Sequence, residues 1–180
     1  MKSIVLSSQR DLDTALHSDY KWFPLDKGGE YRKWYGNNEK VIRMDKDAYE
    51  QLLQMGNHLP SKNMYFKPGI TWSKITSAKI SFRYDDYGFV FSSVGLKGFP
   101  IEGEDYYALA LLNSQVVEYC LNILSPGLST VSGDIEKLPV IHSTQHKNRI
   151  STIGKENIQY AKVDWDSYET SWDFKRNPLV

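Results

Sequence analysis

The chain has 180 residues, 41% hydrophobic and 24% charged, with twelve tyrosines, five tryptophans and a formal net charge of zero. That composition predicts one folded domain with a real core and excludes a disordered chain. A single cysteine excludes an internal disulfide and a cysteine-based zinc cluster, and no apolar run approaches the roughly eighteen residues of a membrane helix. The opening MKSIVLSSQRDLD turns polar too early for a secretory leader, so a soluble cytoplasmic protein is expected.

In chain order, Ser8 to His17 reads as a short opening helix, capped by a serine and carrying Leu12, Ala15 and Leu16 on one face. From Tyr20 the texture is that of a meander. YKWFPL, EYRKWY and EKVIRM are aromatic or β-branched segments separated by DKGG and GNN. Asp45 caps a helix over DKDAYEQLLQM, which stops at Gly56, where a residue tolerating positive φ is useful. Asn57 to Gly69 reads as loop, and ITSAKISFRY and GFVFSS as two further strands joined through DDYG. Glu104 to Leu124 is helical, with Leu109, Leu112, Val116, Cys120 and Leu124 on one stripe and a break offered at Asn113-Ser114. SPGLSTVSGDIEKLPVI reads as a loop and a closing strand. From His146 the chain is helical and then tryptophan-rich, a connector whose packing partner is expected outside the chain. Strands before helices, with no βαβ rhythm, predict an α+β class: an antiparallel, meander-rich sheet with packed helices and a helical C-terminal extension. The expected organisation is a lead-in helix over 1–19, a body over 20–141 and a connector over 142–180.

Two segments concentrate positive charge that the neutral total conceals. From Lys21 to Arg43 there are six basic residues (Lys21, Lys27, Arg32, Lys33, Lys40, Arg43) against three acidic ones. Gly28 and Gly29 lie among them. As a hairpin turn they need no function, but glycine also lets backbone amides approach a phosphate closely. The pair lacks the Lys-Ser/Thr ending of a P-loop. From Leu59 to Tyr84 there are five basic residues and no acidic one, interleaved with Tyr65, Phe66, Trp72 and Phe82. This is either the electrostatic footprint of a polyanion site or a solvated basic strand edge. The balancing acids lie at Glu102, Glu104 and Asp105, and at Glu156, Asp164, Asp166, Glu169 and Asp173 near the C-terminus.

Catalytic patterns are missing. His142 and His146 have the spacing of a helical metal pair, but no carboxylate or cysteine completes a set. Cys120 falls on the apolar stripe and is expected to be buried and inert. Asp85-Asp86 before Tyr-Gly reads as a turn, and no serine sits in a nucleophile elbow. The chain is expected to be no enzyme and to hold no cofactor or metal of its own.

KWFPLDKGGEYRKWYGNNEKVI, YFKPGITWSKITSAKISFRY, GFVFSSVG, ALALLNSQVVEYCLNIL, GDIEKLPVI and DWDSYETSWDFKRNPLV follow one another in a telling order. The series resembles the region C-terminal to the catalytic domain in the adenine-specific DNA methyltransferases of BREX phage-defence systems. Type II restriction-methylation fusion enzymes share the pattern more loosely. The similarity runs from Tyr20 to Val180, and its first run is the most specific part; ALLNS and LPVI alone recur in many target-recognition domains. The resemblance implies that 20–141 is a DNA target-recognition domain, reading double-stranded DNA while a separate domain transfers a methyl group from S-adenosylmethionine. An Asp/Asn-Pro-Pro-Tyr/Phe tetrapeptide, which holds the flipped adenine in that family, is missing here, and Asn177-Pro178-Leu179-Val180 has the wrong third and fourth residues. The glycine motif for the cofactor is missing as well, so methylation is not assigned to this chain.

The partners the resemblance implies are duplex DNA and the methyltransferase catalytic domain or other proteins of the defence system. The implied phosphate contacts are Lys21, Lys27, Gly28, Gly29, Arg32 and Lys33. Tyr35, Asn37 and Asn38 are candidates for a groove, since asparagine pairs bidentately with adenine. Thr71, Ser73 and Lys74 are candidate polar contacts, Lys79 belongs to the basic stretch, and Arg83 is either a guanine reader or half of a structural ion pair. The alternative is a protein-interaction domain that uses the aromatic meander and the tryptophan-rich tail. A metal-dependent nuclease would need carboxylates that the sequence does not place.

Overall fold

The computed structural model describes residues 10–56, 59 and 61–179. Strand β1 (Trp22–Asp26) runs antiparallel to β2 (Val41–Arg43) on one side and parallel to β5 (Val90–Phe91) on the other. In a second sheet β3 (Gly69–Ser73) is central, with β4 (Phe82–Asp85) and β6 (Gly95–Gly98) antiparallel to it. Around them lie α1 (Leu12–Leu16), α2 (Lys46–Gln54), α3 (Asp105–Leu112), α4 (Gln115–Leu124), the single turn α5 (Ser132–Ile135) and the long α6 (Lys147–Trp165). The chain is therefore an α+β fold.

Local signals placed several of these elements. Asp45 caps α2 by accepting from the Ala48 N–H at 3.1 Å, and Gly56 follows the helix at φ 79°. Helix α1 is shorter than expected and is capped by Asp11, whose carboxylate accepts from the Thr14 N–H at 2.8 Å; the expected Ser8 end lies outside the described residues. So do positions 57, 58 and 60 of the expected 57–69 loop, in which Lys62–Met64 forms a turn of 3-10 helix.

The middle segment of the expected meander is not a strand. Its backbone reverses repeatedly, with φ of 75° at Trp34, 116° at Gly36 and 65° at Asn37. Trp34 alone joins a ladder: its N–H donates to the Phe82 carbonyl and its carbonyl accepts from the Tyr84 N–H, both at 2.8 Å. Residues 69–73 are strand rather than contact loop, and all five are buried. Ile70, Thr71 and Trp72 favour that conformation, and Gly69 permits it, since a Cβ there would stand 2.7 Å from the Gly98 carbonyl oxygen. The strand expected over ITSAKISFRY begins only at Phe82, because the Thr76 hydroxyl accepts from the Ala78 N–H at 3.0 Å and closes a local turn. No closing strand forms at LPVI: Leu138 is buried, while Val140 and Ile141 are exposed on either side of nothing that pairs with them among the described residues.

The break at Asn113-Ser114 resets the helical phase. The Ser114 hydroxyl caps α4 by accepting from Val117 N–H at 3.3 Å. Val117 and Leu121 therefore enter the core, whereas Val116 and Leu124 of the predicted single stripe are exposed. Helix α6 has its packing partner within the chain, contrary to expectation. It crosses α3 so closely that a Cβ on Gly154 would lie 2.6 Å from the Tyr106 carbonyl oxygen, and Ile158 and Trp165 are buried.

Each sheet has its own apolar cluster. Ile70, Trp72, Phe82, Leu109, Val117, Leu121, Leu138 and Ile158 form one, beneath the helices. Ala15, Phe23, Met44, Tyr65, Phe66 and Val90 form the other, with Phe23 and Phe66 edge to face at 5.3 Å. Burying a side chain of this size stabilises by about 1.5–3 kcal/mol, so both clusters are needed for a stable fold.

Candidate nucleic-acid interface

The two basic segments, far apart in sequence, meet at one junction. After β1 the chain turns through Gly28 (φ 76°) and Gly29 (φ 148°). The Gly29 N–H donates to the Ser73 hydroxyl at 2.9 Å, and that hydroxyl donates to the Gly29 carbonyl, also at 2.9 Å. The Arg32 N–H donates to the Ser81 hydroxyl at 3.2 Å. Glycine is required at this turn, since a Cβ on Gly28 would press on Ser73 at 3.1 Å and one on Gly29 would meet the Asn37 amide at 2.7 Å. The Gly29 amide is satisfied internally, which leaves side chains to meet a phosphate there. Lys27 and Lys74 are the neighbours of Gly28 and Ser73, and Lys79 lines the same depression as Gly29, Ser73 and Ser81. The 74–76 loop is held in turn by the 128–130 loop, through Thr76 N–H to Leu128 carbonyl at 2.9 Å and Thr130 N–H to Lys74 carbonyl at 2.8 Å.

The cations differ in how far they are engaged. Arg32 donates to Asp164 at 2.8 Å, with its guanidinium 5.0 Å from the Trp165 ring centroid. Lys33 donates to the Asn113 carbonyl at 2.8 Å, where helix α3 ends. Lys79 pairs with Glu118 at 2.6 Å on an exposed surface, a contact worth little in water. Lys21, Lys27 and Lys74 have no ion-pair partner among the described residues, and Lys21 and Lys27 are exposed. A groove of about 440 Å³ beside the glycine turn carries Lys27 and Lys40 but also Glu30 and Glu39.

The remaining candidates are engaged within the chain. Thr71 is buried and donates to the Leu96 carbonyl at 2.9 Å. Asn37 donates to the Glu30 carbonyl at 2.9 Å and so shapes the turn. Tyr35 carries Lys162 over its ring at 4.9 Å, and Asn38 is buried beside it. Arg83 is 1% exposed and belongs to an ionic cluster that spans the two sheets. Lys97 Nζ, on β6, lies 3.3 Å from Asp85 on β4 and 3.5 Å from Asp26 on β1. Among the described residues, Lys97 Nζ, Asp26 Oδ2, both Asp85 carboxylate oxygens and Arg83 Nε find no hydrogen-bond partner. Asp85, read from the sequence as a turn residue, is thus interior; Asp86 beside it does turn the chain, accepting from Tyr87 N–H at 2.8 Å.

Burial holds the Asp26 carboxyl well above its ordinary value of 3.8, and the neighbouring Asp85 pushes it the same way. A carboxyl raised on folding contributes stability that is whole below 3.8 and is lost as pH rises through its folded value. Asp26→Asn keeps the neutral shape. Its stability relative to the native protein is therefore expected to increase as pH rises above about 4 and through the raised folded value of Asp26. Paired thermal melts across that range measure it, and a constant difference would mean that Asp26 stays ionised in the fold.

Sequence reasoning missed the acidic tail as a partner of the basic segment. Lys162 reaches Asp166 at 3.0 Å and Asp173 at 2.8 Å, and Asp164 holds Arg32. The signal was present in the opposed charge of the two regions. Cys120 is half-buried against the core rather than fully enclosed. His142 stacks on Tyr107 at 6.1 Å, and His146 precedes α6.

No family model matches the chain. It is similar to the adenine-specific methyltransferase BrxX of Escherichia coli O9:H4 (strain HS), 37% identical over 176 residues, covering 96% of this chain and 14% of that protein. It is also similar to the adenine-specific methyltransferase PglX of Lacticaseibacillus casei (strain Zhang), 33% identical over 179 residues, covering 94% of this chain and 15% of that protein. Nearly the whole chain thus corresponds to a region amounting to 14% and 15% of the length of two proteins named as adenine-specific methyltransferases.

Proposed function

We propose that the chain is the DNA target-recognition portion of an adenine-specific DNA methyltransferase of BREX phage defence, with residues 20–141 as its body. It binds double-stranded DNA in the cytoplasm and does not itself transfer the methyl group. The junction at Gly29 and Ser73 carries the reading: it gathers Lys27, Lys74 and Lys79 from two basic segments around one internally hydrogen-bonded turn. S-adenosylmethionine is left to the catalytic portion, since this chain lacks both the glycine motif and the Pro-Pro tetrapeptide. Docking onto that portion, or onto another defence protein, is a second role. Val116, Tyr119 and Ile123 favour it, because all three are exposed on one side of α4.

Fluorescence anisotropy with mixed-sequence duplex at several salt concentrations tests the DNA role. Affinity is expected to fall steeply with salt, by a slope of about 0.9 for each phosphate neutralised. Combined Lys27→Ala, Lys74→Ala and Lys79→Ala substitution is expected to reduce the slope by about 2–3 and to weaken all sequences alike. An unchanged slope would remove these lysines from the interface. Absence of binding even at low salt would leave docking as the role of this chain.

A further inference from the structure

Arg32 sits where the groove beside the glycine turn meets the end of α6. Its stem passes Gly36 so closely that a Cβ there would collide with Arg32 Cδ and lie 3.0 Å from the Trp165 ring. The guanidinium lies 5.0 Å from the centroid of that ring and 6.0 Å from that of Tyr168. Packing therefore aims the group, while 28% of the side chain stays exposed. Its bond to Asp164 is the weaker restraint. Among the described residues only Nη1 of its side-chain donors is engaged, 2.8 Å from Oδ2, and the Asp164 side chain is 57% exposed. An exposed single-point pair contributes little in water, whereas a phosphate accepts two parallel bonds from the guanidinium fork. Helix α6 gains nothing from the acid either, since Asp164 lies in its last turn, where the helix dipole disfavours an anion. Along the groove Lys27, Arg32 and Lys40 stand against Glu30 and Glu39, and Asp164 cancels the one positive charge left over.

We propose that Asp164 stands in for a backbone phosphate and that duplex DNA displaces it, which makes Arg32 a further phosphate contact in the groove of Lys27. The exchange costs the complex the Arg32–Asp164 bond. The acidic end of α6 thereby holds down affinity for polyanions until a phosphate reaches the guanidinium. This rests on the DNA reading of the glycine turn and adds to it one contact and its competitor.

A double-mutant cycle read by duplex binding at several salt concentrations tests it. Asp164→Ala is expected to bind mixed-sequence duplex about threefold to fivefold more tightly than the native chain, the scale of one exposed ion pair, with the salt slope unchanged. Arg32→Gln, which keeps most of the stem, is expected to lower the slope by about 0.9, one phosphate. Combined with Arg32→Gln, the Asp164→Ala gain is expected to vanish. A gain that persists without Arg32 is a general effect of charge and overturns the proposal. So does the absence of any gain while the native chain binds, which leaves the DNA role intact. If neither the native chain nor Asp164→Ala binds at low salt, the proposal falls together with the DNA reading. Should Arg32→Gln fail to fold, Glu169→Ala decides, because it removes the same charge from an exposed residue of the same tail that makes no ion pair among the described residues. A gain confined to Asp164→Ala supports the exchange, and an equal gain in both overturns it.

Discussion

Lys97→Met is expected to destabilise the protein by about 3–5 kcal/mol, the scale of breaking a buried ion pair from one side. Methionine fills a similar volume, so the loss reports charge rather than a cavity. In the native fold Lys97 Nζ stands between Asp26 and Asp85, and all three side chains are shut away from water. Without it the two carboxyls retain only the buried Arg83 as a countercharge, and a carboxylate without compensation in a dry interior is among the most unfavourable groups a fold can hold. For a chain of this size the change corresponds to a melting temperature lower by roughly 10 °C. Urea unfolding followed by tryptophan fluorescence measures it directly. Adding Asp26→Asn and Asp85→Asn to Lys97→Met is expected to restore most of the loss, because neutral groups no longer need the cation. A loss under about 1 kcal/mol in the single variant would mean that water reaches the cluster and screens it.

That cluster was the least legible feature in the sequence, and the reason is physical. Asp26, Asp85 and Lys97 each look like an ordinary solvated residue beside a turn, and only the meeting of their side chains from β1, β4 and β6, on two different sheets, removes them from water. Helix α2 was legible because its signals are local: Asp45 at one end, Gly56 at the other, apolar spacing between. Strand β3 went unassigned and its Thr71 and Ser73 were read as contacts because they are polar; their satisfaction by the Leu96 and Gly29 carbonyls depends on partners distant in the chain. The candidate interface was half legible. Both basic segments stood out by composition, but nothing local reveals that a serine hydroxyl joins them, or that Lys33 reaches back to a helix end rather than outward.

The same long-range dependence makes Asn113 the second position where one substitution is expected to have a large effect. Its side chain makes a two-point contact with the backbone of Phe82: Oδ1 accepts from the N–H at 3.1 Å, and Nδ2 donates to the carbonyl at 2.9 Å. The two Phe82 groups are not equally dependent on it. The carbonyl also accepts from Trp34 N–H at 2.8 Å and keeps a partner when Asn113 is lost, whereas the N–H is left buried without one. Asn113→Ala is therefore expected to destabilise by about 2–3 kcal/mol, one orphaned donor together with the hydrogen bonds forgone. The damage should spread along the path that Asn113 organises. Its own carbonyl receives Lys33, and Trp34 next to Lys33 is stitched to β4 on both sides of Arg83. Amide exchange at Trp34 and Tyr84 should accelerate before that of β3, since those bonds lie on the β4 edge that Asn113 secures. Uniform acceleration across both sheets would instead mean that Asn113 supports the whole fold cooperatively. A stability change below about 0.5 kcal/mol would show that water takes over the Phe82 N–H, and that the break between α3 and α4 is held by Ser114 alone.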